Sequence, residues 1–430
     1  MASTKLVVVA SAELSRGRRG VTSHAALASR LSGEPGVPSP HAPRISLDPL
    51  LVGVSGPVPT PEAPDPRRVK PLRSLLRVTQ GLPPLEATAE LTIGMDEVDH
   101  RLDRLFETAS HDGSVFAVLE GAYGAGKTHH LLHIEARALA EKRPVFWLSV
   151  ERLDEDLGNP QRHLRRLLEG ATLPLTGAPG PLDRLERWLG VEAVRRRLWA
   201  ALGDIAASDG EAASAARRVT RAAEELDEDA VRLTLGALDL VDKPANPSYR
   251  RDAYSRLHLW LELLARLDGC EGPVVLLDEA ENLYRVGVSK AERRTGMRSL
   301  SFYCGGALSR ACVVLAVTPE SLERLREEAD ELFDAIEEQR TLLPNEDPAM
   351  LRRRLAKSRP IKVVELGRAS FVELAERARA LDERVRGRLK DAGWDAWVKR
   401  AAADAETPRD LLRRTALRLE QLRWGAAWDR

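Results

Sequence analysis

The chain has 430 residues, 43% hydrophobic and 30% charged, with 65 basic and 65 acidic side chains. Such a length exceeds one typical core and predicts two or three structural units of an ordinary soluble protein. No apolar run approaches the ~20 residues that span a bilayer, which excludes a transmembrane helix. Cys270, Cys304 and Cys312 form no metal-spaced pairs, so they read as small buried residues in a reducing cytosol.

At the N-terminus, Lys5-Leu-Val-Val-Val-Ala10 leads into Arg16, Arg18 and Arg19. It reads as a strand in a small appendage, residues 1–33, and lacks the h-region and cleavage site of a signal peptide. Prolines crowd residues 34–66, a density that packs into neither a helix nor a central strand. A linker or extended arm is expected over 34–85. A core is expected over 86–369. Val98, Leu102, Leu105 and Phe106 begin it at helical spacing.

Strands and helices then alternate: strand 115–120, helix 127–141, strand 144–150, helix 160–168. Residues 181–240, rich in Ala, Arg, Glu and Leu, read as an inserted helical segment. Helix 248–268, strand 273–277, helix 290–309, strand 311–318, helix 320–338 and strand 361–366 follow, and 370–430 reads as helical throughout. Such alternation predicts an α/β fold with a parallel sheet covered on both faces.

The chemistry concentrates after the first of these strands. Gly121-Ala122-Tyr123-Gly124-Ala125-Gly126-Lys127-Thr128 fits G-x-x-x-x-G-K-[ST], between an apolar strand and a helix start. Glycines let the backbone approach phosphates, and the helix N-terminus offers N–H groups to an anion. The loop, with His129 behind it, is expected to bind a nucleoside triphosphate. Lys127 would reach the β/γ-phosphates, and Thr128 would ligate Mg²⁺.

Val274-Val-Leu-Leu-Asp278-Glu279 is an apolar strand ending in two carboxylates. Downstream of a phosphate loop, it places Asp278 as a Mg²⁺ ligand and Glu279 as general base for an attacking water. Thr318, ending the next strand, would lie between the two motifs. It either orients the water or caps the following helix. Thr407-Pro408-Arg409 reads as a helix start, and Arg409 is the candidate to touch the γ-phosphate from the C-terminal helices.

Other features carry less. His129 and His133 have i, i+4 spacing, yet no third metal ligand is suggested. Trp394, Trp397, Trp424 and Trp428 recur at helical spacing and read as packing rather than base-stacking platforms. Residues 351–430 carry roughly nine more basic than acidic side chains. The excess suits nucleic acid or another acidic partner, and solvated helix faces equally.

Together the loop, Asp278-Glu279, Thr318 and Pro408-Arg409 resemble the AAA+/STAND-like P-loop ATPases. The resemblance implies an ASCE-like sheet with a helical insertion and a helical lid over 370–430. Ile93-Gly94-Met95-Asp96-Glu97 resembles a Gly-Arg-Glu box that packs near adenine, with Met in place of the usual Arg. Within that superfamily, three stretches are similar to the BREX-type (BrxD-like) ATP-binding proteins of bacterial phage defence. They are Glu120–His129, Asp278-Glu-Ala-Glu-Asn-Leu283 and Asn159-Pro-Gln-Arg-His-Leu164. This likeness implies a cytoplasmic ATPase with protein partners in a multi-subunit defence complex. It also implies possible homo-oligomers, with Arg340 or Arg359 completing a neighbour's site. A nucleotide-gated DNA-binding or loader protein resembling origin-recognition ATPases is the competing expectation. A small-molecule kinase is disfavoured, since adjacent Asp-Glu suits water activation.

Overall fold

The computed structural model describes residues 66–424 except 81, 83, 85–86, 151–156, 158, 175–179, 225–227, 237–246, 285–287 and 340–345. The appendage expected at 1–33, the arm up to 65, Arg340 and Trp428 lie outside the described residues.

Five strands build one parallel sheet: β1 (Val115–Glu120), β2 (Val145–Ser149), β3 (Val274–Asp278), β4 (Cys312–Val317) and β5 (Ile361–Lys362). Their spatial order is β2-β3-β4-β1-β5, compatible with a P-loop NTPase. Pairing is in register along the centre, with Val118 beside Leu315 and Leu276 beside Val314. The strands read as continuous apolar runs because both faces are buried. Period-two alternation divides their side chains between two cores. Val118, Val275, Leu277, Val313 and Leu315 face one, while Ala117, Leu119, Leu276, Val314 and Ala316 face the other.

Helices α1 (Pro66–Thr79), α2 (Asp96–Asp112) and α3 (Lys127–Ala140) come first in the described chain. Val98, Leu102 and Phe106 of α2, with Leu131 and Ile134 of α3, cover the second face. The opposite face takes α4 (Pro160–Glu169), α9 (Pro247–Asp268), α10 (Lys290–Gly305) and α11 (Pro319–Gln339). Between α4 and α9, the expected helical insertion consists of α5 (Pro181–Gly190), α6 (Glu192–Ala207), α7 (Ala213–Glu224) and α8 (Glu228–Leu235). Trp188 and Trp260 tie it to α9, their rings 5.6 Å apart.

Several expectations are corrected. The end of the expected linker is helix α1, with Leu75 and Val78 each 3% exposed. Packing on the C-terminal helices outweighs Pro71 inside it. A short helix not anticipated, α12 (Pro348–Lys357), starts where Asp347 accepts from the Met350 N–H at 2.8 Å. Strand β5 stops after two residues instead of running to 366. The Val363 N–H still donates to the Glu120 carbonyl at 2.9 Å, and the next one, that of Val364, donates to His130 Nε2 at 3.1 Å. The C-terminal segment is made of three helices. It breaks into α13 (Arg368–Arg386), α14 (Trp394–Asp404) and α15 (Pro408–Trp424), the first ending at Gly387 with φ +85°. Trp394 is buried, donates to Glu376 at 2.8 Å and stacks on Trp397. Trp424, by contrast, is exposed. No described helix is long and apolar enough to cross a membrane.

Candidate nucleotide site

At the C-terminal end of the sheet a cavity encloses about 980 Å³, its open mouth included. Open parallel sheets place ligands at this edge. Its polar lining comes from loop residues 123–128, His129, His130, Asp278, Glu279 and Glu281. Val78, Leu91, Ile93, Met95, Val364 and Leu366 are among its apolar walls. Ile93 and Met95 of the Ile93-Gly94-Met95 stretch thus line the cavity.

The loop leaves β1 with the Gly121 N–H on the Val317 carbonyl at 3.2 Å, and closes a turn where Ala125 N–H donates to Ala122 at 3.2 Å. Gly124 and Gly126 take φ of +77° and +108°, a region closed to most side chains. The helix then starts at Lys127, whose first-turn N–H groups lack intrahelical acceptors. Lys127 is 8% exposed. Its ammonium donates to the Gly121 carbonyl at 3.2 Å and pairs with Glu281 Oε1 at 3.1 Å.

Asp278 and Thr128, 150 residues apart in sequence, meet: the Thr128 hydroxyl donates to Asp278 Oδ2 at 3.0 Å. Asp278 is 4% exposed. Burial pushes its carboxyl up to about 6, against the pull of the Thr128 hydroxyl and the Glu279 N–H. The adjoining residue, Glu279, adopts φ +59°, rare for a side chain of that size. This turns its carboxylate to accept from Asn282 Nδ2 at 3.1 Å, and Asn282 is anchored in turn on the Val150 carbonyl at 2.7 Å. A carboxylate touching a hydroxyl in a cleft lined by further carboxylates is an all-oxygen donor set. That set suits Mg²⁺, which binds through one or two carboxylates and keeps several waters. The glycine cradle and Lys127 suit a polyphosphate.

From the C-terminal segment, Pro408 and Arg409 line the cavity. Thr407 caps α15, accepting from the Asp410 N–H at 3.1 Å. The Arg409 guanidinium lies 5.7 Å from the ring centre of Tyr123, a cation–π distance. Tyr123 itself is 79% exposed. Thr318 follows β4, between β1 and β3 in the sheet, but its hydroxyl is engaged. It donates to Ser321 Oγ at 3.0 Å and accepts from the Ser321 N–H at 3.4 Å, so it caps α11. Arg359 is exposed, and its carbonyl accepts from Arg101.

The histidines serve the scaffold. His133 Nε2 meets Asp99 at 2.7 Å, whereas His129 Nε2 meets the Thr92 hydroxyl at 3.0 Å. Thr92 spends its own proton on the Thr88 carbonyl at 2.7 Å, so His129 Nε2 carries the hydrogen. His130 was not anticipated, yet it links the loop to the end of β5. Its Nδ1 donates to the Gly126 carbonyl at 3.0 Å, and its Nε2 accepts from Val364. One neutral tautomer satisfies both bonds. Burial pushes both His129 and His130 down to about 4. The folded His130 therefore holds fewer protons than an unfolded imidazole near 6.5. Stability is fully present above about pH 6.5 and is lost progressively toward pH 4, by up to about 3 kcal/mol. Asp278, raised from 3.8 to about 6, works in the opposite direction below about pH 6. In urea unfolding, the gap between wild type and His130→Gln should narrow as pH falls from 7.5 to 4.5. A gap independent of pH would show that no such linkage exists.

Glu281 was also missed. It stands three residues after Asp278, and the 3-10 turn Ala280–Tyr284 carries it back to the strand end. Three carboxylates within four residues was the available signal.

No curated protein and no solved structure matches the chain. Over residues 71–228, from α1 through the glycine loop into the helical insertion, the chain matches the family described as BREX system ATP-binding protein BrxC/D, and its likeness to the BrxD-like ATP-binding proteins is shown there.

Proposed function

We propose that this chain is a cytoplasmic, Mg²⁺-dependent ATPase whose ATP state controls assembly of a BREX-type phage-defence complex. One observation carries the reading: Thr128 of the glycine loop touches Asp278 at the end of β3, beside a cavity that both residues line together with apolar side chains. The loop N–H groups and Lys127 hold the β/γ-phosphates, and the base lies among the apolar walls. Thr128 and Asp278 hold Mg²⁺, which neutralises phosphate charge when bound. Glu279, fixed by Asn282, takes a proton from the attacking water. Arg409 leaves Tyr123 for the γ-phosphate and so orders the C-terminal helices as a lid, a population shift between two arrangements. Thr318 joins this machinery only by giving up its cap. An exposed Arg359 is available to a neighbouring copy.

Direct DNA binding is supported less well. Many basic side chains of the C-terminal segment are engaged by acids, as in Arg386 and Arg423 with Asp382, Arg377 with Glu373 and Arg418 with Asp391. The reading is tested by thermal unfolding with a non-hydrolysable ATP analogue, Mg²⁺ and duplex DNA. At a hundred times its dissociation constant the analogue should stabilise by about 2.7 kcal/mol. DNA should add nothing at physiological salt. No shift with the analogue would sink the nucleotide reading. A DNA-dependent shift that collapses with added salt would favour the loader instead.

A further inference from the structure

The ammonium of Lys127 is already engaged by a carboxylate within this chain. Glu281 Oε1 lies 3.1 Å from Nζ, with side-chain exposures of 20% and 9% for Glu281 and Lys127. The second oxygen, Oε2, is buried without a hydrogen-bond partner, a costly arrangement unless the site gains from the charge. Lys127 is also drawn to the Gly121 carbonyl at 3.2 Å, at the base of the loop. Glu281, Asp278 and Glu279 all line the cavity. An incoming triphosphate therefore meets a lysine whose charge is already matched, and three carboxylates beside it.

Resting on the nucleotide reading above, we propose that Glu281 is a positioning residue that sets nucleotide affinity. It acts as the counter-ion of Lys127 in the nucleotide-free protein, so phosphate binding must break the ion pair. Charge-assisted bonds between partly buried groups are the strong ones, and their loss is felt directly in the competing equilibrium. Repulsion between Glu281 and the phosphates acts in the same direction once Lys127 has moved. The ion pair is a fixed cost for any ligand that needs Lys127, and the repulsion grows with ligand charge. Metal-free ATP is therefore held back more than its Mg²⁺ complex, and adenosine is not held back at all. Glu281 thus discourages the protein from filling its site with metal-free nucleotide.

The test is calorimetric titration of the full-length protein and Glu281→Gln with ATP in EDTA, with MgATP and with adenosine. Melting curves monitor the fold. Glu281→Gln should bind metal-free ATP about tenfold more tightly, equivalent to about 1.4 kcal/mol. MgATP should gain less, and adenosine should be unchanged. Glu281→Ala should reproduce the order if the glutamine variant folds poorly. Equal or weaker binding of metal-free ATP overturns the inference, as does an equal gain for adenosine, which would indicate a general repacking of the site. Weakening confined to MgATP also overturns it and would make Glu281 part of the metal's surroundings. A wild type that binds no ATP overturns the nucleotide reading itself, and so the two failures are distinguishable.

Discussion

Lys127→Ala is expected to abolish ATP binding while leaving the sheet intact. The lysine is the cationic side chain of the loop, it is 8% exposed, and its ammonium pairs with Glu281 in a cavity that Asp278 and Glu279 also line. Removing it takes away a charge-assisted contact to the β/γ-phosphates. It also leaves Glu281 unbalanced, so that the remaining field repels phosphate. Loss of one partner of such a pair costs on the order of 3 kcal/mol, and the unmatched carboxylate adds to it. Affinity should fall by about 10² or more, measured by titration with a non-hydrolysable analogue. Wild-type affinity in this variant would remove the phosphate-loop assignment altogether. Because Glu281 loses its partner in the same variant, melting curves must accompany the titration.

In Glu279→Gln, ATP should stay bound while turnover falls by a factor of about 10² or more, as expected when a general base is lost. Glutamine keeps the shape of the side chain and can still accept from Asn282, whose amide lies 3.1 Å from the carboxylate. What it cannot do is take a proton. The positive φ of Glu279 supports the assignment, because such backbone positions persist where the surrounding structure holds a group in place for a task. Single-turnover measurement of phosphate release separates the two steps. Unchanged turnover would leave Glu279 a structural residue at a strained strand end.

Much of the core was legible because its signals are local. Val115–Glu120, the glycine loop and the following helix form one continuous unit. Strand-like apolar runs also marked β3 and β4. Less legible was whatever depended on a distant partner. Helix α1 falls in a proline-rich stretch and folds against α13 and α15, which follow it by about 300 residues. The run at 361–366 has strand composition, but it pairs with β1 only over Ile361–Lys362, and the Val364 N–H goes to the imidazole of His130. His130 itself reads as an ordinary helical residue until the end of β5 is brought beside it.

The same division runs through the site. Residue types alone determined that a glycine loop with Lys127 and Thr128 precedes a helix, and that an apolar strand ends in Asp278-Glu279, since dihedral freedom, charge and hydrophobic period are properties of the local chain. Only the tertiary structure decided that Thr128 meets Asp278 and that Arg409 rests on Tyr123. It likewise decided that Glu281 holds Lys127. Those contacts join segments whose spacing in sequence carries no information about spacing in the fold, and they exist because the sheet order sets β4 between β1 and β3 and gathers their ends around one cavity.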